Sequence, residues 1–169
     1  MSRLSFYRVD AGYADYLREF DHRVPYTFDD KQNRPFVGVI ITLCDTPFFV
    51  PLSSPKEKHL TMHNMPDFHK IEGGEWGAIN FNNMIPVPEK YLTLISTELP
   101  ASYTEEQYKY INLLKNQLTW CNITKNKDMI CNKANRLYDI ITTNKATQKL
   151  KNRCCNFDLL MKIYNNYES

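Results

Sequence analysis

The densest group of chemically useful side chains is Leu52-Ser53-Ser54-Pro55-Lys56-Glu57-Lys58-His59. It places two hydroxyls, two ammonium groups and an imidazole within eight residues, at the end of an apolar run that reads as a strand. A turn of this composition can bring hydroxyls, amides and ammonium groups onto one phosphate. Read without other knowledge, a solvated Ser-Pro turn with surface lysines is the simpler account of the same residues.

Other chemistries have less support. His59 and His63 share a face only if their segment is helical, and Pro55 and Pro66 flank it. With His69 they make at most three ligands, with no cysteine nearby to close a four-ligand zinc site. We therefore assign no metal and no cofactor. There is no G-x-S-x-G elbow, no Walker loop, no G-x-G-x-x-G and no D-x-D pair.

The elements that must position these groups divide at Pro100. Before it come prolines, glycines, aromatics and short apolar runs; after it there is neither Gly nor Pro. We expect a strand-rich first part and a helical second part. Strands are expected over 4–9, 36–43, 47–52 and 91–95, with a turn at Asp45-Thr46-Pro47. Asp10 caps a helix over 11–20 with Tyr13, Tyr16, Leu17 and Phe20 at helical spacing. Val24-Pro25 ends that unit, and 25–35 and 53–66 read as loops. Gly73-Gly74, between 67–72 and 75–81, signals a hairpin.

In the second part, Ser102-Tyr103-Thr104-Glu105 fits a capping box. Tyr110, Ile111, Leu114 and Leu118 form one helical stripe, and Ile130, Ala134, Leu137 and Ile141 another. Asn156 can cap a last helix carrying Phe157, Leu160, Met161 and Tyr164. The expected fold is α+β, a single domain over 1–169: a small, highly curved antiparallel sheet or SH3-like half-barrel with helices packed on it.

The chain has 169 residues, is 43% hydrophobic and carries net charge +2. Residues 1–100 hold 10 Lys/Arg against 13 Asp/Glu, and 101–169 hold 11 against 6. A basic helical half suits nucleic acid, and a solvated helical face has the same charge pattern. Five cysteines, an odd number without a C-x-x-C pair, read as buried or partly buried free thiols. No apolar run reaches a membrane span, and the N-terminus lacks a signal-peptide core, so a cytoplasmic protein is expected.

Pro51-Leu52-Ser53-Ser54-Pro55-Lys56-Glu57-Lys58-His59 resembles the S-P-K-x-K-H loop of the ToxN/AbiQ family. The resemblance runs nearly the whole chain in order: Phe6-Tyr7 with Tyr13 and Tyr16-Leu17, Phe36-Val37-Gly38, Gly77 to Asn80, Met84-Ile85-Pro86-Val87, Tyr110 through Gln117, and Cys155-Asn156-Phe157 with Leu159-Leu160. Family members are sequence-selective endoribonuclease toxins of type III systems, from bacteria and phage defence. Each is held inactive by a repeat-derived RNA pseudoknot that it processes itself, in cyclic protein–RNA assemblies. The resemblance also implies a core like that of the MazF/Kid toxins.

Carried onto this chain, the resemblance implies that Ser54 is the essential serine, Lys56 the lysine after the proline and Ser53 the preceding hydroxyl. The early family tyrosine falls on Tyr13, and a basic position before the F-x-G strand on Arg34. A loop position falls on Lys31, with Tyr26 nearby. The implied reaction is metal-free attack by the RNA 2′-OH on the adjacent phosphate, giving a 2′,3′-cyclic phosphate and a 5′-OH. In the reaction so implied, Ser54 would orient the 2′-OH or the scissile phosphate, Lys56 would stabilise the negative charge with support from Arg34 and Lys58, and Tyr13 would donate a proton or hydrogen bond. Tyr13 reads equally as helix core, and His59 as either a catalytic or a structural imidazole. Tyr26 and Phe28 offer faces for stacking on bases, although partial burial is the simpler account. Two other readings remain: a non-catalytic RNA-binding module, and a surface-interaction protein unrelated to RNA.

Overall fold

The expected strand pair across residues 36–52 is the spine of the fold. The computed structural model describes residues 2–30 and 34–168; the expectation for Lys31 lies outside them. In chain order the elements are β1 (Tyr7–Val9), α1 (Ala11–Phe20), β2 (Phe28–Asp29), β3 (Arg34–Pro35), β4 (Gly38–Leu43), β5 (Thr46–Ser53), β6 (Phe68–Lys70), β7 (Ala78–Asn80), β8 (Ile85–Pro86), β9 (Leu92–Leu94), α2 (Glu105–Asn122), α3 (Thr124–Thr142), α4 (Gln148–Arg153) and α5 (Phe157–Ile163).

β4 and β5 pair from Gly38↔Pro51 to Leu43↔Thr46. The two-residue turn is Cys44-Asp45, one residue earlier than expected; φ is +49° and +59° there, the left-handed pair that a tight hairpin needs. β5 changes partner along its other edge. Phe48 and Phe49 pair with β8, and Leu52 and Ser53 pair with β7. Pro51 lies between those two spans, so on that side its missing N–H breaks no ladder. β5 is buried almost throughout, as its unbroken apolar run requires.

The seven-stranded antiparallel sheet runs β6-β7-β5-β4-β1-β9, with β8 beside β5; β2 and β3 form a separate ribbon. Among the described residues β6 and β9 do not pair, so the sheet is open and the expected SH3-like barrel is not closed. Only β4 and β5 exceed three residues, and closure asks every strand to tilt and pair along its length. The strand expected over 4–9 is confined to β1. The Gly73-Gly74 hairpin exists as β6–β7, but residues 71–77 form its loop, with a 3₁₀ turn over Glu72–Gly74.

Helices cover the sheet as the stripes demand. Tyr13, Ala14 and Leu17 of α1, Leu114 of α2, Ile130, Ala134 and Leu137 of α3, and Phe157 and Leu160 of α5 are buried. Each large apolar side chain so placed contributes about 1.5–3 kcal/mol. Asp10, Thr104 and Asn156 accept hydrogen bonds from the amides of Tyr13, Gln107 and Leu159. The α2 capping box therefore uses Thr104 with Gln107, two residues later than Ser102 with Glu105. Cys121, Cys154 and Cys155 are buried free thiols, and Cys131 is partly buried. Cys44 is exposed, contrary to expectation, because the hairpin turn carries it outward.

Candidate active site

β5 ends on Ser53, and the chain leaves the sheet through Ser54 and Pro55. Lys56 then opens a 3₁₀ turn over Glu57–Leu60. The His59 amide donates to the Lys56 carbonyl at 2.9 Å, and the Lys56 amide donates back to Nδ1 of His59 at 3.1 Å. This reciprocal pair fixes the backbone that carries Lys56. His59 is buried beside Phe68, with ring centroids 5.8 Å apart.

The bond to Nδ1 also fixes the tautomer. A nitrogen that accepts from an amide carries no proton, so the neutral ring holds its proton on Nε2. Every buried side-chain N or O atom among the described residues has a hydrogen-bond partner, whereas the His59 ring has one through Nδ1 alone. Nε2–H therefore opens to the groove that His59 lines. Burial, with Lys56 and Lys58 nearby, holds the imidazole pKa below its usual value. At neutral pH His59 is a positioned hydrogen-bond donor, and its free edge offers no lone pair for taking a proton.

Two glycines let neighbouring backbone press on this loop. At Gly77, φ is +94° and a Cβ would stand 2.0 Å from the Ser53 carbonyl oxygen. At Gly74, φ is +98° and a Cβ would stand 2.6 Å from the His59 carbonyl oxygen. The β6–β7 loop thus holds both ends of the Ser53–His59 segment, through approaches that only glycine permits.

Two depressions meet at Ser53. The smaller, about 30 Å³, is lined by Ser53, Ser54, Asp29, Arg34, Tyr110 and Gln117, among others. Arg34 Nη2 donates to Ser54 Oγ at 3.3 Å, and its guanidinium lies 4.2 Å over the Tyr110 ring centroid. Because Ser54 Oγ accepts from the cation, its own proton is free to donate outward. Gln117 is buried and donates to the Trp76 carbonyl at 2.8 Å, tying α2 to the β6–β7 loop. The larger groove, about 350 Å³, is lined by Ser53, Lys56, Lys58, His59, Asn80, Asn82 and Arg153, among others. Arg153 grips the buried Asp67 in a bidentate pair at 2.9 and 3.0 Å.

The structure thus gathers Ser53, Ser54, Lys56, Lys58, His59 and Arg34 around one strand end. It does not bring Tyr13 there. Tyr13 is fully buried, stacks on Tyr91 with centroids 5.0 Å apart, and donates its hydroxyl to the Pro86 carbonyl. Burial raises its pKa far above the ordinary phenol range. Tyr26 is 69% exposed beneath the Arg18 guanidinium and lines a different depression, with Phe36 and Ile85. His69 faces Lys133, whose Nζ lies 3.1 Å from Nδ1, while His63 is exposed. No three His, Cys, Asp or Glu side chains converge among the described residues.

Tyr110, Asp29, Gln117, Asn80 and the Arg153–Asp67 pair are neighbours of the site that nothing in the local sequence marks. Tyr110 lies in a helical stripe that reads as core, and only the fold shows that its ring supports a guanidinium.

A family model described as Toxin ToxN, type III toxin–antitoxin system, matches residues 5–165. The chain belongs to the ToxN toxin family. An endoribonuclease ToxN of Bacillus thuringiensis subsp. kurstaki is 32% identical over 167 residues, 96% of this chain and 84% of that protein. A solved chain from work on selective toxin inhibition by a non-coding RNA pseudoknot superposes with a TM-score of 0.78 at 32% identity, covering 98% of each chain. Another, from a bacterial antiviral system regulated by a processed non-coding RNA, gives 0.79 at 27% identity, covering 98% of this chain and 99% of that one. The ToxN family match spans both cavities and the loop between them. No helix among the described residues is long and apolar enough to cross a membrane.

Proposed function

We propose that this chain is a metal-independent, sequence-selective endoribonuclease toxin that cleaves single-stranded RNA in the cytoplasm. In this reading it processes a repeat-derived RNA pseudoknot antitoxin, which inhibits it within a cyclic protein–RNA assembly, and messenger RNA is the free toxin's substrate. The observation that carries the reading is the pairing of Arg34 with Ser54 at 3.3 Å, with Lys56 next along the loop.

The reaction forms a bond from O2′ to phosphorus and breaks the bond from phosphorus to O5′. One proton leaves O2′ and one arrives on O5′, so the products are a 2′,3′-cyclic phosphate and a 5′-OH. The Ser54 hydroxyl donates a hydrogen bond to a phosphate oxygen while Arg34 fixes its direction. The Lys56 ammonium faces the charge that builds on the phosphorane, which is where fixed cations lower the barrier most. Lys58 adds positive potential from the groove. Nε2–H of His59 is a further donor at that wall.

A cleavage assay tests the metal-independent part. Activity on total RNA should persist in excess EDTA, and DNA of the same sequence should stay intact. Strong inhibition by EDTA or cleavage of DNA would refute the reading. The alternative of a non-catalytic RNA-binding module predicts no cleavage in any buffer.

A further inference from the structure

The groove beyond Ser53 has more structure than phosphate chemistry requires. Its volume of about 350 Å³ falls within the usual range for ligand pockets, about 300–1,000 Å³. Lys56 and Lys58 form a cationic rim next to Ser53, while Met62, Met65 and Phe68 supply apolar surface. Polarisable thioethers and a ring suit the face of a flat aromatic group.

The groove is also lined by carboxamides in different states. Nδ2 of Asn82 donates to the Arg153 carbonyl at 3.3 Å, and Nδ2 of Asn83 donates to the Arg23 carbonyl at 2.9 Å. Asn80 ends β7, lies half-buried in the groove, and makes no side-chain hydrogen bond among the described residues. One donor group and one acceptor are therefore available on a side chain whose backbone is held in register opposite Phe68. The Arg153–Asp67 pair neutralises the acidic group in the groove, so the rim stays positive.

We propose that this groove holds the unpaired nucleobase next to the cleaved phosphate and that the Asn80 carboxamide reads its edge. The inference rests on the endoribonuclease reading and adds the determinant of its selectivity. A carboxamide pairs in bidentate fashion with an edge presenting a donor beside an acceptor, and adenine alone does so on its N6–H and N7 face. A carboxylate of the same size accepts only, so it pairs with the adjacent N1–H and N2–H donors of guanine. Asn80→Asp should therefore redirect the preference at one position without moving the reacting groups.

The experiment uses a randomised, fully 2′-O-methylated RNA pool, which attack by O2′ cannot cleave. Bound molecules are recovered and sequenced for wild type, Asn80→Asp and Asn80→Ala. Circular dichroism melting confirms that all three fold. Wild type should enrich adenine at one position. Asn80→Asp should enrich guanine there by roughly tenfold, the equivalent of one good edge contact, and Asn80→Ala should show no preference. Identical profiles for the three proteins would overturn the inference, as would a pool that none of them enriches. Cleavage of unmodified RNA by wild type is scored separately. If wild type selects bases but does not cleave, the endoribonuclease reading fails and the base pocket stands.

Discussion

The amide of Lys56 donates to Nδ1 of His59 at 3.1 Å, so the imidazole that sequence places beside the site acts first on the lysine's backbone. Protonating Nδ1 would abolish that bond. Because the folded pKa is depressed, the neutral ring is the native form above the unfolded value of about 6.5, and it is lost as pH falls through the lower folded pKa. We expect His59→Ala to lower kcat about 10–100-fold, since small misplacements of a reacting group cost that much, with KM for RNA changed little. His59→Asn, which can return an acceptor to the Lys56 amide, should recover part of the rate and remove the fall in activity on the acid side. A pH–rate profile of the three proteins checks this. An inflection near pH 6.5 or above that disappears with His59 would contradict it, because it would mark a titrating base.

Arg34 reaches Ser54 while its guanidinium sits over Tyr110, 4.2 Å from the ring centroid. A lysine keeps the charge but loses the planar fork and the stacking. Arg34→Lys should reduce kcat/KM about tenfold or more, and Tyr110→Leu should follow it in the same direction by a smaller factor. Kinetics on a fixed RNA substrate, with melting curves as a control, decide the matter.

A Cβ at Gly77 would stand 2.0 Å from the Ser53 carbonyl oxygen, at φ +94°. Gly77→Ala must displace either β7 or the Ser53–Ser54 backbone. The expected cost is of order 2 kcal/mol of stability or more, with cleavage lost more completely than folding. Thermal melting and activity measured on the same preparation test the two effects together.

Much of this arrangement was legible in the sequence because local chemistry decided it. Asp10 and Asn156 cap helices where side-chain oxygens precede apolar stripes, and the Ser53–His59 loop leaves a strand whose buried run is unmistakable. The open sheet was not legible, since closure depends on how far short strands pair, and β1, β6, β7 and β9 each have only three residues. The partners of the site were hidden for a similar reason. Arg34 and Ser54 are 20 residues apart, Gln117 meets Trp76 across 41, and Arg153 meets Asp67 across 86. Spacing along a chain carries no trace of such pairs. Tyr13 had two readings on one helical face, and the fold places its hydroxyl on the Pro86 carbonyl.

That placement gives a distinct outcome for Tyr13→Phe. Removing a buried hydroxyl leaves the Pro86 carbonyl without its donor, a loss of about 1–2 kcal/mol. Stability should fall by that amount while kcat stays within about threefold of wild type. A loss of kcat of a hundredfold in a protein that still folds would return Tyr13 to the chemistry.

The Ser54 loop is expected to cleave RNA through attack by the RNA's own 2′-OH. Purified wild type and Ser54→Ala are incubated with total RNA in EDTA, and new 5′ ends are mapped with and without prior phosphorylation. Wild type should yield ends that ligate only after phosphorylation. Ser54→Ala should bind RNA with similar affinity and cleave at least about a hundredfold more slowly, the size of effect seen when a group facing developing charge is removed. Ends that carry a 5′-phosphate, or cleavage by Ser54→Ala at the wild-type rate, would contradict this mechanism.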